Sequence, residues 1–70
     1  MPEWIVNTQA QPGSNDHEVH RLDTCTHLPD SNHRLALGWY ATCQEAVKKA
    51  KDTYSDSNGC FYCAYACHTT

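Results

Sequence analysis

Three of the chain's five cysteines lie near its C-terminus, in the stretch NGCFYCAYACHTT. Within this stretch, Cys60 and Cys63 form a Cys-x-x-Cys pair directly after Asn58-Gly59. A tight turn after a glycine lets two thiolates converge on one ion at about 2.3 Å, with backbone N–H groups close to the sulfur atoms. The pair therefore predicts one half of a tetrahedral metal site.

Two parts of the chain could supply the other two ligands. His20 and Cys25 lie at the end of a predicted strand, whereas Cys67 and His68 follow the Cys-x-x-Cys pair at once. A site shared with the distant residues closes a long loop and ties two segments together, which stabilises a small core. A site made only from the C-terminal stretch closes no such loop. The expected Zn²⁺ ligands are therefore His20, Cys25, Cys60 and Cys63, with Cys67 and His68 as alternates.

The length of the chain explains why a metal is expected. With 70 residues, the chain buries only about 60% of the surface that its unfolded form exposes, so it needs a further stabilising link. The odd cysteine count and the absence of a secretory leader in MPEWIVNTQAQ favour a metal over disulfides, which remain the alternative. Because no leader is recognised, we expect a cytoplasmic protein, and that reducing compartment in turn disfavours structural disulfides.

Charge and hydropathy restrict the partners. The net charge of −3 is unfavourable for electrostatic binding to phosphate backbones, so nucleic-acid binding is not expected. The lysines at positions 48, 49 and 51 are typical of a solvated helix face. No apolar run approaches the roughly 18 residues that a membrane span requires. We expect a soluble protein with a protein partner, and the oligomeric state stays open.

The rest of the chain predicts a single small α+β domain over residues 1–70. EWIVN and HEVHRL have the composition of two strands, and the loop between them has Pro-Gly and Asn-Asp chemistry, so a β-hairpin is expected. RLALGWYA predicts a third strand with Leu35, Leu37 and Trp39 on one face. Gly38 suggests a bulge in this strand or a point where another backbone comes close. The expected sheet has three antiparallel strands.

One helix is expected after the third strand. Thr42 and Glu45 have the spacing of a capping box, and the apolar residues that follow form one stripe with a period of 3.6. The helix should run from Cys43 to about Tyr54, with Cys43 facing the core. Asn58-Gly59 suits left-handed backbone angles that would end this segment before a C-terminal zinc knuckle.

The remaining candidate residues have simple interpretations. Cys43 could act as a nucleophile only with a histidine in hydrogen-bond reach, and HEVH lacks the spacing of a metalloprotease motif. Haem attachment is disfavoured because Cys63, Cys67 and His68 are spaced one residue too widely for it. The histidines expected to face solvent are His17, His27 and His33.

The C-terminal aromatic residues are expected to be structural. Phe61, Tyr62 and Tyr65 should shield the metal from water and pack against Trp4 and Trp39. The alternative, an exposed platform for a peptide or a flipped base, would require a positive groove beside it.

The order WIVN…HEVHRLDTCTHLP…LGWYATCQEAVKKA…NGCFYC resembles the small zinc domains related to the metal-binding N-terminal region of the Ada methylphosphotriester repair proteins. The resemblance implies His20 and Cys25 as the first ligand pair, Thr42 to Ala46 as the helix start, and Cys60 and Cys63 as the second ligand pair. The chain departs from the family in the wider first pair, the longer segment before the knuckle and the Cys-His tail. Alkyl transfer is not implied, because an acidic chain lacks the basic DNA-contacting surface on which that chemistry depends.

The sequence therefore predicts a small zinc-stabilised module that binds a protein. Four protein ligands leave no open position on the metal, so an enzyme is not expected. The alternative is a thiol-based redox or metal sensor, in which the surplus cysteines Cys43 and Cys67 lie near the metal and their oxidation expels the ion.

Overall fold

The computed structural model describes residues 1–13 and 15–68. The strands and the helix are β1 (Glu3–Asn7), β2 (His17–Arg21), β3 (Arg34–Trp39), α1 (Cys43–Ala50) and β4 (Ser57–Gly59). Two single turns of 3-10 helix lie at Ser31–His33 and Tyr65–Cys67. Within these described residues, no helix has the length and apolar character needed to cross a membrane.

The sheet has four strands in the order β3-β1-β2-β4. Strands β1 and β2 form the predicted antiparallel hairpin, and β3 pairs antiparallel with the other edge of β1. Strand β4 adds to the free edge of β2 in the parallel direction. The prediction of three antiparallel strands is therefore wrong, because Ser57–Gly59 contains none of the β-branched or aromatic residues by which a strand is recognised.

The core lies between the sheet and α1. Its cluster of buried side chains includes Trp4, Val6, Val19, Ala46 and Ala50. The Trp4 side chain is 4% exposed, and its indole N–H donates to the backbone carbonyl of Tyr40 at 2.9 Å. This bond satisfies the one polar group that the buried indole carries.

Helix α1 begins where the sequence predicted and ends earlier. The Thr42 hydroxyl accepts a hydrogen bond from the Glu45 N–H at 3.4 Å, and Cys43 is buried. The helix ends at Ala50 rather than near Tyr54. The weak helix formers Asp52 and Thr53 take up turns after it, but Tyr54 still packs against the core, so the predicted apolar stripe is kept.

The predicted bulge at Gly38 is confirmed, with an unexpected consequence. The register of β3 against β1 shifts beside Gly38, whose φ is +108°. An extra residue in one strand breaks the alternation of side chains between the two faces. Leu37 is buried whereas Trp39 is 61% exposed, so the prediction that Trp39 shares the inner face with Leu37 is wrong.

Gly59 serves close packing rather than a left-handed turn. It lies in β4, and the described glycines with positive φ are Gly13 and Gly38. A Cβ atom on Gly59 would lie 2.5 Å from the carbonyl oxygen of Ala64 and 2.7 Å from the Cβ of Cys67. The absence of a side chain at Gly59 therefore lets the C-terminal segment cross β4 in direct contact.

We expect Gly59→Ala to lower the free energy of unfolding by about 2 kcal/mol, because a methyl group would displace backbone atoms that no rotamer change can move. Urea denaturation of the folded protein measures this loss. Gly13→Ala is the control: Gly13 has φ +92° and nothing within 4 Å of an added Cβ, so it carries only the left-handed cost of about 1 kcal/mol. A smaller loss at Gly59 than at Gly13 would contradict the close packing.

Candidate metal centre

Four side chains bring their donor atoms together beside the paired ends of β2 and β4. The cluster consists of His20, Cys25, Cys60 and Cys63, whose ligand atoms all lie within 4.8 Å of one another. These are the four residues that the sequence predicted as ligands. The Nδ1 atom of His20 lies 3.4 Å from the Sγ of Cys25 and 3.8 Å from the Sγ of Cys63. The Sγ atoms of Cys25 and Cys60 are 3.9 Å apart.

Three of the six donor separations are close to those of a tetrahedral zinc–thiolate site. With Zn–S bonds of about 2.3 Å and a Zn–N bond of about 2.0 Å, tetrahedral angles separate two sulfur ligands by about 3.8 Å and a sulfur from a nitrogen by about 3.5 Å. The S–S distance of 3.9 Å and the two N–S distances of 3.4 and 3.8 Å lie close to these values. All six separations stay within 4.8 Å, so the four donors are close enough together to hold one ion.

The first pair is positioned by β2 and the turn that follows it. His20 lies in β2 opposite Ile5 of β1. The Cys25 N–H donates to the carbonyl of Arg21 at 3.0 Å, and this turn carries the Cys25 thiol back toward the strand end. The strand end and the turn after it bring His20 and Cys25 together within a few residues. Their short spacing in the sequence could therefore indicate a ligand pair.

The second pair is positioned by β4. In the parallel pairing Val19 lies opposite Gly59, and the Cys60 N–H donates to the carbonyl of Val19 at 2.9 Å. This pairing places Cys60 beside the end of β2, and the turn after it presents Cys63. The strand that the sequence missed is thus the element that joins the two halves of the site.

Backbone N–H groups point at two of the sulfur atoms. The Arg21 N–H donates to the Sγ of Cys63 at 3.3 Å, and the Tyr62 N–H donates to the Sγ of Cys60 at 3.4 Å. Such donors favour the thiolate form of cysteine, which is the form that binds a metal. The close N–H groups predicted for the knuckle are therefore present.

Burial sets the protonation of the centre. His20 is 1% exposed, and burial, with smaller effects of Arg34 and His27, lowers its pKa to about 4. The imidazole is therefore neutral at pH 7, as a ligand must be. Burial raises the pKa of both Cys60 and Cys63, because an isolated thiolate is costly in this environment. A bound cation would offset that cost and displace the protons.

Glu18 is a neighbour of the centre that the sequence interpretation missed. The Nε2 atom of His20 lies 3.9 Å from Oε1 of Glu18, while Nδ1 faces the sulfur atoms. A metal-bound histidine commonly directs its second ring nitrogen to a carboxylate, which fixes the tautomer. Burial raises the pKa of the Glu18 carboxyl, and His68 acts in the opposite direction. The two-residue period of β2, which puts Glu18 and His20 on one face, could have indicated this neighbour.

Comparisons of the chain with family models, with curated proteins and with solved structures found no match. The resemblance to the Ada-type zinc domains therefore stays a prediction, based on the quoted motifs and on the order of the ligand pairs. The chemistry of the site has to be inferred from the geometry of its own residues.

The alternate ligands lie outside the four-residue cluster. Cys67 forms a disulfide with Cys43, so its sulfur is not free to bind a metal. For this pair the structure has the disulfide that the sequence left as the alternative. The Nδ1 atom of His68 donates to the carbonyl oxygen of Gly59 at 3.0 Å. Disulfide connectivity cannot be deduced from cysteine spacing alone, and this bond joins α1 to the C-terminal turn across a separation of 24 residues.

The histidines expected in solvent differ from one another. His17 is half-buried, and its ring stacks on that of Tyr54 with a centroid distance of 3.9 Å. His33 is also half-buried, whereas His27 is exposed and stacks on Tyr62 at 3.8 Å. His17 and His33 are therefore only partly exposed, whereas His27 faces the solvent as predicted.

The C-terminal aromatic side chains point outward. Phe61 is 49% exposed, and Tyr62 and Tyr65 are each 66% exposed. The prediction that they seal the metal site and fill the core is wrong. Within this segment Cys60 and Ala64 take the inward positions, at 1% and 4% exposed, so that the residues beside them face the solvent.

Proposed function

We propose that His20, Cys25, Cys60 and Cys63 bind one Zn²⁺ and that this ion stabilises a protein-binding module. The observation that carries the proposal is the separation of the donor atoms, 3.4 to 3.9 Å for the three pairs measured. Separations in this range suit the ligands of one tetrahedral ion.

The donor set favours zinc over the common hard cations. Three thiolates and one imidazole are ligands for zinc and other soft or borderline ions, whereas Ca²⁺ and Mg²⁺ require oxygen ligands. Four protein ligands would complete the coordination shell, so the proposed metal is structural and the protein is not a metalloenzyme.

Exposed aromatic residues support the binding of a protein. Phe61, Tyr62, Tyr65 and Trp39 are all about half exposed or more, and the core does not use them. Tyr, Trp and Phe are enriched in protein–protein interfaces relative to the rest of a protein surface. Their exposure on a chain of this size therefore fits a recognition surface.

The sensor alternative loses support from the disulfide. In that alternative, oxidation of Cys43 and Cys67 expels the ion, but here these two residues are bonded to each other while the four ligand atoms stay grouped. The three remaining cysteines all belong to the proposed centre. The same bond weighs against the predicted cytoplasmic location, since structural disulfides persist mainly in oxidising compartments.

Native mass spectrometry tests the metal assignment. We expect one zinc per chain after refolding with Zn²⁺, together with one intact disulfide. Substitution with Co²⁺ should give the absorption of a tetrahedral cobalt–thiolate centre, which Cys25→Ser should weaken and the exposed-site control Thr26→Ser should leave unchanged. A protein that folds without metal, or that pairs Cys25 with Cys60, would refute the proposal.

A further inference from the structure

A cleft of about 520 Å³ opens beside the proposed metal centre. We call it the aromatic cleft. Its aromatic walls are His27, Phe61, Tyr62 and His68, and Glu18 and Cys60 also line it. The cleft thus combines exposed rings with a carboxylate and one of the proposed metal ligands.

The rings of the aromatic cleft hold one another in place. His27 stacks on Tyr62 with centroids 3.8 Å apart, and Phe61 meets Tyr62 edge to face at 5.3 Å. Phe61 also meets His68 edge to face at 5.4 Å, and the His68 ring is fixed by its bond to the Gly59 carbonyl. A wall of mutually packed rings loses little conformational freedom when a ligand binds.

The charge of the aromatic cleft is negative. No lysine or arginine lines it among the described residues, and the Glu18 carboxylate does. If the proposed function is right, three thiolates and a neutral imidazole around Zn²⁺ leave one net negative charge, and Cys60 carries part of it to the wall of the cleft. A phosphate backbone or an acidic segment would be repelled here.

We propose that the aromatic cleft binds the cationic side chain, lysine or arginine, of a segment of a partner protein. The rings of Phe61 and Tyr62 are 49% and 66% exposed, and their exposed surfaces offer cation–π attraction to a cation whose charge pairs with the Glu18 carboxylate. The inference rests on the proposed function and adds to it the chemistry of the partner. A nucleic acid would need positive charge beside the rings, and the cleft supplies the opposite.

The test uses the zinc-loaded chain and blocked peptides of the form acetyl-Gly-Gly-X-Gly-Gly-amide. In separate titrations X is lysine, arginine, norleucine or glutamate, and the shifts of the protein's amide signals report binding. We expect the lysine and arginine peptides to shift signals around the aromatic cleft. Norleucine has the same chain without the charge and should bind about fivefold more weakly, and glutamate should not bind.

Two matched pairs of variants locate the site. Tyr62→Leu should weaken lysine-peptide binding about fivefold, whereas Tyr65→Leu should not; both tyrosines are 66% exposed and contact Phe61, but Tyr65 lies outside the cleft lining. Glu18→Gln should weaken binding, whereas Asp52→Asn, with the same change in net charge in the exposed turn after α1, should not. Zinc content is measured in every sample.

The outcomes separate the two proposals. Equal binding of the norleucine and lysine peptides would overturn the cationic partner and leave an apolar protein-binding surface. Absence of binding by every peptide to zinc-loaded protein would overturn the inference alone, as would equal effects of Tyr62→Leu and Tyr65→Leu. A chain that takes up no zinc would refute the proposed function, and the inference would fail with it.

Discussion

Replacing Cys60 with serine is expected to abolish the native fold. Cys60 is 1% exposed. Its backbone N–H bonds to β2 beside the pairing of β4, and its sulfur is one of the four proposed metal ligands. Binding of structural zinc contributes about 10 kcal/mol or more, which is comparable to the whole stability of a small domain, about 5–15 kcal/mol. Loss of one ligand, or removal of zinc with a chelator, should therefore leave a chain without fixed tertiary structure.

The measurement is the dispersion of amide proton signals together with zinc content. Wild-type protein should lose its dispersion in excess chelator and regain it when Zn²⁺ is restored, whereas Cys60→Ser should show little dispersion at any zinc concentration. Ala66→Ser is a control in the same segment, since Ala66 is exposed and should tolerate a hydroxyl. A fully dispersed spectrum in chelator would mean that the core and the disulfide suffice without metal.

The sequence was informative wherever local chemistry determines structure. The hairpin strands, the start of α1 at Thr42 and the bulge at Gly38 follow from patterns within a few residues of each position. The four clustered side chains were also predicted, because cysteine and histidine pairs at short spacing indicate metal ligation. Because a small domain needs a link between distant segments, a site that combines the two separate pairs was favoured over one made only from the C-terminal stretch.

The errors share another cause. Strand β4 forms because Ser57–Gly59 meets the free edge of β2, and its own residues give no strand pattern. The exposure of Phe61 and Tyr62 follows from the inward placement of Cys60 and Ala64, which apolar composition alone cannot indicate. Each of these features depends on a contact between segments far apart in the chain.

The disulfide belongs to the same class of feature. Cys43 was expected in the core and is buried there, so its pattern on the helix was interpreted correctly. Cys67 becomes its partner because the C-terminal segment crosses β4, where Gly59 permits the close approach. An odd cysteine count excludes complete pairing, but it allows one bond beside a three-thiol centre.

The double variant Cys43→Ala/Cys67→Ala is expected to keep its zinc and lose about 3 kcal/mol of stability. The bond closes a loop across a separation of 24 residues, and the chain-entropy estimate for a loop of that size is about 3 kcal/mol. Zinc should remain because neither sulfur belongs to the four-residue cluster. Guanidinium denaturation of the zinc-loaded variant, with metal content measured beside it, checks both parts.

Cys25→Ser supplies the opposite expected result, loss of zinc with the Cys43–Cys67 bond still able to form. If Cys67→Ser removes the zinc while Cys25→Ser keeps it, the metal is held by the local C-terminal ligands and the cluster shared with β2 is wrong. If the double variant keeps both its zinc and its full stability, the disulfide contributes nothing to the fold. The expected pattern separates two stabilising links: a metal that holds β4 against β2, and a disulfide that fastens α1 to the chain beyond them.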